Sequence, residues 1–272
     1  MHLRFLSLLL AILLIHSTAQ EVEDQREFDY IKGSGRGPEV WGNLHEEWAS
    51  CNNGDLQSPV DLSSERVKIV PSSSNVKVNY KPSNATLKNR GHDIEIKWVG
   101  DAGSAQVDGK NYTLIQSHWH APSEHSINGR RFALELHMVH QYTDPVMGNR
   151  IAVIGILYNK GRPQKFLSEL ENDIRHITDS DREINIGIVN PTHIKIAGKK
   201  YYRYTGSLTT PPCTQGVRWI INRKIRSVSV EQMSLLREAV HDSMENNARP
   251  LQPLNNREIS LQKMKNGWKS QN

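Results

Sequence analysis

A mainly β protein with few helices is what this chain predicts, and three observations carry that reading. Apolar and β-branched residues gather in short runs, turns rich in glycine, proline and asparagine separate them, and only two segments space their apolar residues as a helix does. The strand-like runs, in order, are Val76–Tyr80, Asp93–Val99, Tyr112–His120, Leu134–His140, Ile151–Asn159, His193–Ile196 and Val217–Asn222. Phe166–Ile174 and Val230–Ser243 read as helices, the second with apolar residues at 233, 235, 236, 239, 240 and 244. No internal repeat and no linker-like change of composition divides the chain.

Met1–Ala19 carries one early arginine, an apolar run from Phe5 to Ile15, and small residues Ser17 and Ala19. That pattern is a secretory leader cleaved after Ala19. The run is too short to span a bilayer, which needs about 20 apolar residues. Residues 20–272 then form one domain, with a core of about 28–260, a loose charged arm at Glu21–Glu27 and a frayed basic tail after about 262. No later segment is apolar enough for a membrane helix. The formal charge of +5 falls to +4 once Arg4 is lost with the leader, and the basic residues are scattered, which argues against nucleic-acid binding. The two cysteines, Cys51 and Cys213, suggest a disulfide in a secreted chain, with two separate buried thiols as the alternative. Asn84-Ala-Thr and Asn111-Tyr-Thr are glycosylation sequons, whereas Asn190-Pro-Thr fails because proline follows.

Five of the 12 histidines fall within Leu114–His140. Strand side chains alternate faces, so Gln116, His118 and His120 point one way, as do Glu135, His137 and Val139. Leu134, Leu136 and Met138 take the opposite face and read as core. Asn128-Gly129 between the halves is a strong hairpin signal, and a symmetric hairpin there sets His120 opposite His137, although Pro122 loosens that register. Three imidazoles on one face suit zinc, and three protein ligands leave a fourth position open for water. Gln116 and Glu135, each two residues from a histidine on the same face, are placed to accept a ligand's second ring N–H. Histidines merely hydrogen-bonding in half-buried strands account for His118 and His120 alone better than a metal does; His137 at matching parity brings the two readings level, and the surrounding residues decide between them.

Gln116-Ser-His-Trp-His, Ser123-Glu-His, Leu134-Glu-Leu-His-Met-Val-His and Gly206-Ser-Leu-Thr-Thr-Pro-Pro resemble the signatures of the α-class carbonic anhydrases, as do Gly37-Pro-Glu-Val-Trp, Gln57-Ser-Pro-Val-Asp, Arg90-Gly-His and Asn247-Ala-Arg-Pro-Leu-Gln-Pro. They follow the family's order from about residue 28 to 253, and the secreted plant branch is the nearest match. The resemblance implies a large, mostly antiparallel, twisted central sheet and a Cys51–Cys213 bridge holding the Thr209-Thr210-Pro-Pro loop. It implies zinc on His118, His120 and His137, and reversible hydration of carbon dioxide to bicarbonate, a small-molecule substrate. Zinc in such a site lowers the pKa of bound water to about 7, so hydroxide exists at neutral pH.

The family's pattern further assigns Val139, Val153, Leu208, Val217 and Trp219 to the apolar carbon dioxide pocket and Tyr30 to the cavity wall. Thr209 accepts the hydroxide's proton and Glu124 accepts that of Thr209, while Thr210 meets bicarbonate. His92 matches the proton shuttle. Arg90 and Glu95 depart from the amides usual in animal members. His125 and His140 read as structural hydrogen-bonders, the tetrahedron being filled. The secreted plant branch implies an extracellular location, or a plastid reached through the secretory route. A catalytically weak or non-enzymatic storage or binding protein on the same scaffold is the alternative. A zinc esterase is a further one, without a visible groove for a large substrate.

Overall fold

The computed structural model describes residues 27–70, 76–178, 182–240, 244–264 and 268. The leader Met1–Ala19, most of the charged arm, the last three residues of the helix expected at Val230–Ser243 and most of the basic tail lie outside the described residues. The strands are β1 Val67–Val70, β2 Lys77–Tyr80, β3 Ser83–Asn89, β4 Ile94–Trp98, β5 Gly103–Val107, β6 Lys110–His120, β7 Ser126–Ile127, β8 Arg130–Arg131, β9 Leu134–Asp144, β10 Gly148–Lys160, β11 Glu183–Val189, β12 Lys200–Ser207, β13 Gln215–Val228 and β14 Ile259–Lys263. Twelve of them form one mixed sheet in the order β1-β14-β12-β13-β10-β9-β6-β4-β3-β11, with β2 and β5 joined beside β6. Pairing is antiparallel except for β1 with β14 and β10 with β13.

Both faces of the central strands are covered, so β9 and β10 are buried over long continuous runs. Alternate residues nevertheless enter different cores. Two short helices, α1 (Trp41–Leu44) and α2 (Ser50–Asn53), precede the sheet, and Leu134, Leu136, Met138, Ile154 and Ile156 pack with the longer helices α3 (Lys165–His176) and α4 (Val230–Ala239). Val139, Val153, Leu157, Trp219 and Ile221 pack on the other face. Gln164 and Ser229 cap α3 and α4, and Gln232 links the two caps: its Oε1 accepts the Gln164 N–H at 2.7 Å and its Nε2 donates to the Gln164 carbonyl at 2.9 Å. Among the described residues no helix is long and apolar enough to cross a membrane.

Two expectations need correcting. His193–Ile196 is not a strand, because Pro191–Ile194 forms a single 3₁₀ turn. Asn190 caps it by accepting the Thr192 N–H, and Pro191 occupies the first turn, where no donor is needed. The Asn128-Gly129 turn exists, with φ of 51° and 74°, but it closes only the short β7–β8 ribbon. Five residues (121–125) precede that ribbon and two (132–133) follow it, so the connection is lopsided and shifts the main pairing. His118, not His120, stands opposite His137, and His120 faces Glu135. The shift is two residues, which keeps all three histidines on one face.

Candidate active site

Three adjacent rows run across the sheet on this face, because directly paired strand residues share a side. The first is Gln116, Val139, Val153, Trp219 and Tyr204, on β6, β9, β10, β13 and β12. The second is Glu95, His118, His137, Gly155 and Ile221, and the third is His120, Glu135 and Leu157. Polar residues thus cluster on β6 and β9, and apolar ones follow on β10 and β13.

His118, His120 and His137 are fully buried, and their ligand nitrogens lie within 4.8 Å of one another. The outer nitrogen of each ring is fixed. His118 Nδ1 donates to Gln116 Oε1 at 2.8 Å, His120 Nδ1 to the Asn247 carbonyl at 2.7 Å, and His137 Nε2 to Glu135 Oε1 at 2.9 Å. With those nitrogens protonated, lone pairs remain on the three inner ones. His137 Nδ1 and His118 Nε2 are only 3.3 Å apart, and His120 Nε2 is buried with no hydrogen-bond partner. Lone pairs converging on one point, away from water, are unfavourable unless a cation lies among them. The donor set, three neutral imidazoles, fits zinc.

Burial keeps His118 neutral, as a ligand must be, whereas the carboxylates around His120 favour its charged form. Burial holds His118 well below the usual imidazole range. Burial is the largest influence on His120 and opposes its charge, but the Glu124 carboxylate, with Oε2 3.7 Å from Nε2, the Asn247 carbonyl, and the Asp93 and Glu135 carboxylates together outweigh it and raise the ring. Burial alone would raise Glu135; the ring N–H groups of His125 and His137 overcome it and hold the carboxyl well below its ordinary value. His125 also gives its backbone N–H to Glu135 Oε2 at 2.8 Å, and its Nε2 lies 2.7 Å from the Tyr204 hydroxyl. Both ring nitrogens of His125 are thereby engaged within the protein, so the His125–Glu135–His137 trio is a hydrogen-bond network. His140 stands apart, between the Tyr80 hydroxyl at 2.8 Å and the Ala152 carbonyl at 3.2 Å.

Val139, Val153, Leu208, Val217 and Trp219 belong to one buried cluster, and the Trp219 ring lies 4.8 Å from that of His137. Thr209 and Thr210 follow β12 in a loop fixed from both sides. Ser58 and Ser207 exchange backbone-to-hydroxyl hydrogen bonds of 2.9 and 3.0 Å, and the Cys51–Cys213 disulfide, Cα–Cα 5.0 Å, fastens the loop's far end. The Thr210 hydroxyl is buried without a hydrogen-bond partner. Glu124 Oε1 accepts the Arg249 N–H at 3.0 Å, while Oε2 has no hydrogen-bond partner, so no hydrogen bond joins Thr209 to that oxygen. His92 is buried, its ring 5.1 Å from Phe28 and its Nε2 3.6 Å from Asp93 Oδ2. Arg90 is bidentate on Asp93, at 2.8 and 2.5 Å, and lies 3.3 Å from Glu95 Oε2. Tyr30 packs edge-on to Trp41 and Phe28.

Two further residues shape the site. Asn247 does more than accept from His120: its side chain donates to the His92 and Trp119 carbonyls at 2.6 and 3.1 Å and accepts the Ala121 N–H at 2.8 Å. Gly155 leaves room for Glu135, since a Cβ there would lie 3.1 Å from Glu135 Oε1. Asn247 falls inside a motif quoted from the sequence, but the role of its carbonyl, 127 residues from His120, has no local signal.

Residues 36–263 match the family model for eukaryotic-type carbonic anhydrases, and the chain belongs to that family. It is 53% identical over 246 residues to alpha carbonic anhydrase 7 of Arabidopsis thaliana, an alignment covering 90% of this chain and 88% of the relative. Carbonic anhydrase Nec1 of Nesocodon mauritianus is 49% identical, over 94% and 93% of the two chains. Among solved structures, dioscorin complexed with ascorbate superposes with a TM-score of 0.83 at 43% identity, over 88% of this chain and 98% of that one.

Proposed function

We propose that this chain is a zinc enzyme catalysing the reversible hydration of carbon dioxide to bicarbonate and a proton. The observation that carries the proposal is the trio His118, His120 and His137, whose inner lone pairs converge while Gln116, Asn247 and Glu135 fix the outer nitrogens. His118, His120 and His137 would hold zinc, which would make hydroxide available near neutral pH to hydrate carbon dioxide. Val139, Val153, Leu208, Val217 and Trp219 give an apolar substrate a water-poor place beside the site. Thr209 orients the nucleophile, and Glu124, one oxygen pinned by Arg249 and the other open, receives the threonine's proton. The unpartnered Thr210 hydroxyl is available to bicarbonate. His92 relays the released proton, with Tyr30 at the cavity wall.

The same reading sends the chain through the secretory pathway, to an extracellular site or a plastid. The leader, the sequons at Asn84 and Asn111 and the disulfide support it. A second reading, a weakly catalytic or non-enzymatic storage or binding protein on this scaffold, is favoured by the likeness to dioscorin.

Zinc content and carbon dioxide hydration, measured together on wild type and His137→Ala, separate the two. One zinc per chain with hydration, both lost in the variant, supports the enzyme. Zinc-loaded wild type that does not hydrate carbon dioxide supports the second reading, and full activity in His137→Ala would sink the site assignment.

A further inference from the structure

The two sequons look alike in the sequence, but the sheet places them in different surroundings. Asn84, exposed on β3, pairs directly with Ile188 of β11. On its other side the Asn84 carbonyl accepts the Val99 N–H at 2.9 Å. The register that pairs Ala85 with Trp98 carries over to Asn84 and Val99, so Val99, Asn84 and Ile188 form one row on one face. Ile188, on β11, is 75% exposed, and Val99, in the bend just after β4, is 67% exposed. Among the described residues β11 is moreover the terminal strand of the sheet. An apolar row running to an open strand edge is the kind of surface on which another chain adds. Asn111 on β6 pairs instead with Gln106, and the Thr113–Ser104 pair follows on the same face, so its surroundings are polar.

We propose that Asn84 is an N-glycosylation site whose glycan lies over Val99 and Ile188 and closes the β11 edge to a second copy of this chain. The first sugars of an N-glycan carry C–H faces that pack on apolar side chains, and their hydroxyls face water. A glycan rooted between two exposed apolar residues removes both from solvent at once. The same glycan at Asn111 has no apolar row to cover. This inference rests on the secretory reading above.

The test uses the full chain with its own leader, expressed in insect cells and recovered from the medium. Glycopeptide mass spectrometry should find Asn84 occupied. Thr86→Val removes that sequon while keeping Asn84 and the side-chain shape, and the Thr86 hydroxyl has no hydrogen-bond partner to lose. Thr113→Val, on an exposed side chain, removes the Asn111 sequon as the control. Thr86→Val should melt about 2–4 °C lower and self-associate in sedimentation runs, whereas Thr113→Val should do neither. Val99→Ser with Ile188→Ser in the Thr86→Val background should restore the monomer. Secreted protein lacking sugar at Asn84 overturns the proposal and leaves the secretory reading standing. An occupied Asn84 whose loss changes neither melting nor association overturns the shielding role. Protein retained in the cell and bare at both sequons overturns both readings.

Discussion

Gly155→Ala is the smallest change that should reach the metal site without touching a ligand. The new Cβ would lie 2.5 Å from Ile221 Cδ1 and 3.1 Å from Glu135 Oε1. The first contact is with the far end of a flexible side chain, which can rotate away. The second is not so easily relieved, because Glu135 Oε1 accepts from both His137 Nε2 and His125 Nδ1, at 2.9 and 2.8 Å, and Oε2 is tied to the His125 N–H. Pushing the carboxylate therefore reorients His137. Loss of such an outer partner costs roughly 10–100-fold in metal affinity, and overpacking costs about 1–3 kcal/mol of stability. Zinc affinity by chelator competition and urea melts of the metal-free protein separate these effects. Gly161→Ala, whose Cβ would come 3.2 Å from Ser227 Cβ away from the histidines, controls for strain alone. Wild-type zinc affinity in a destabilised Gly155→Ala would refute the coupling through Glu135.

Three other outcomes are expected. Thr209→Ala should keep zinc and lose about 10²-fold in hydration, the scale of one positioned polar partner; loss of zinc instead would make Thr209 a structural residue. His92→Ala should slow saturating turnover at low buffer, leave kcat/KM nearly intact and be rescued by imidazole buffers, whereas unchanged turnover would mean protons leave by another route. Burial pushes His140 down to about 4 from an ordinary 6.5, so the unfolded chain takes up that proton first as pH falls. Wild type should therefore lose up to about 3 kcal/mol relative to His140→Gln between pH 7 and pH 4, and a pH-independent difference in urea melts would contradict it.

The central strands were legible because their apolar runs are long and unbroken, as in Ile151–Asn159 within β10. Their ends were not, since exposed residues such as Thr143 and Asn149 continue the ladder without an apolar signal. Strands on the flanks escaped for a related reason. β3, Ser-Asn-Ala-Thr-Leu-Lys-Asn, is built from residues that equally suit turns, and its side chains are buried only alternately. β11, Glu-Ile-Asn-Ile-Gly-Ile-Val, does alternate, but none of its isoleucines is fully buried and Gly187 interrupts the run. In the site, the shared face of the histidines and the placing of Gln116 and Glu135 beside them followed from strand parity. The pairing did not, because it depends on the unequal arms around the β7–β8 ribbon. Asn247 and Gly155 act through a carbonyl and through missing volume, neither of which leaves a mark in local sequence.

The register explains why one patch of sheet can hold a cation and an apolar gas together. Along each row the composition changes from a hydrogen-bonding residue on β6 to an aliphatic residue or glycine on β10, while β9 supplies Val139 in one row and His137 and Glu135 in the other two. His137 lies on the boundary, with His118 on one side and Gly155 on the other. A slip of one residue between β9 and β10 would send Val153 and Gly155 to the opposite face, replacing them with Ala152, Ile154 and Ile156. Glu135 would then lose the space Gly155 leaves, and the Trp219 ring would lose its place beside His137. A two-residue shift between β6 and β9, by contrast, changes which histidines face each other but keeps all three on one side. A one-residue slip between β6 and β9 would likewise turn His137 away from His118 and His120, so the proposed chemistry depends on parity at both pairings, and β9–β10 holds its register unbroken from Asp144 to Leu134.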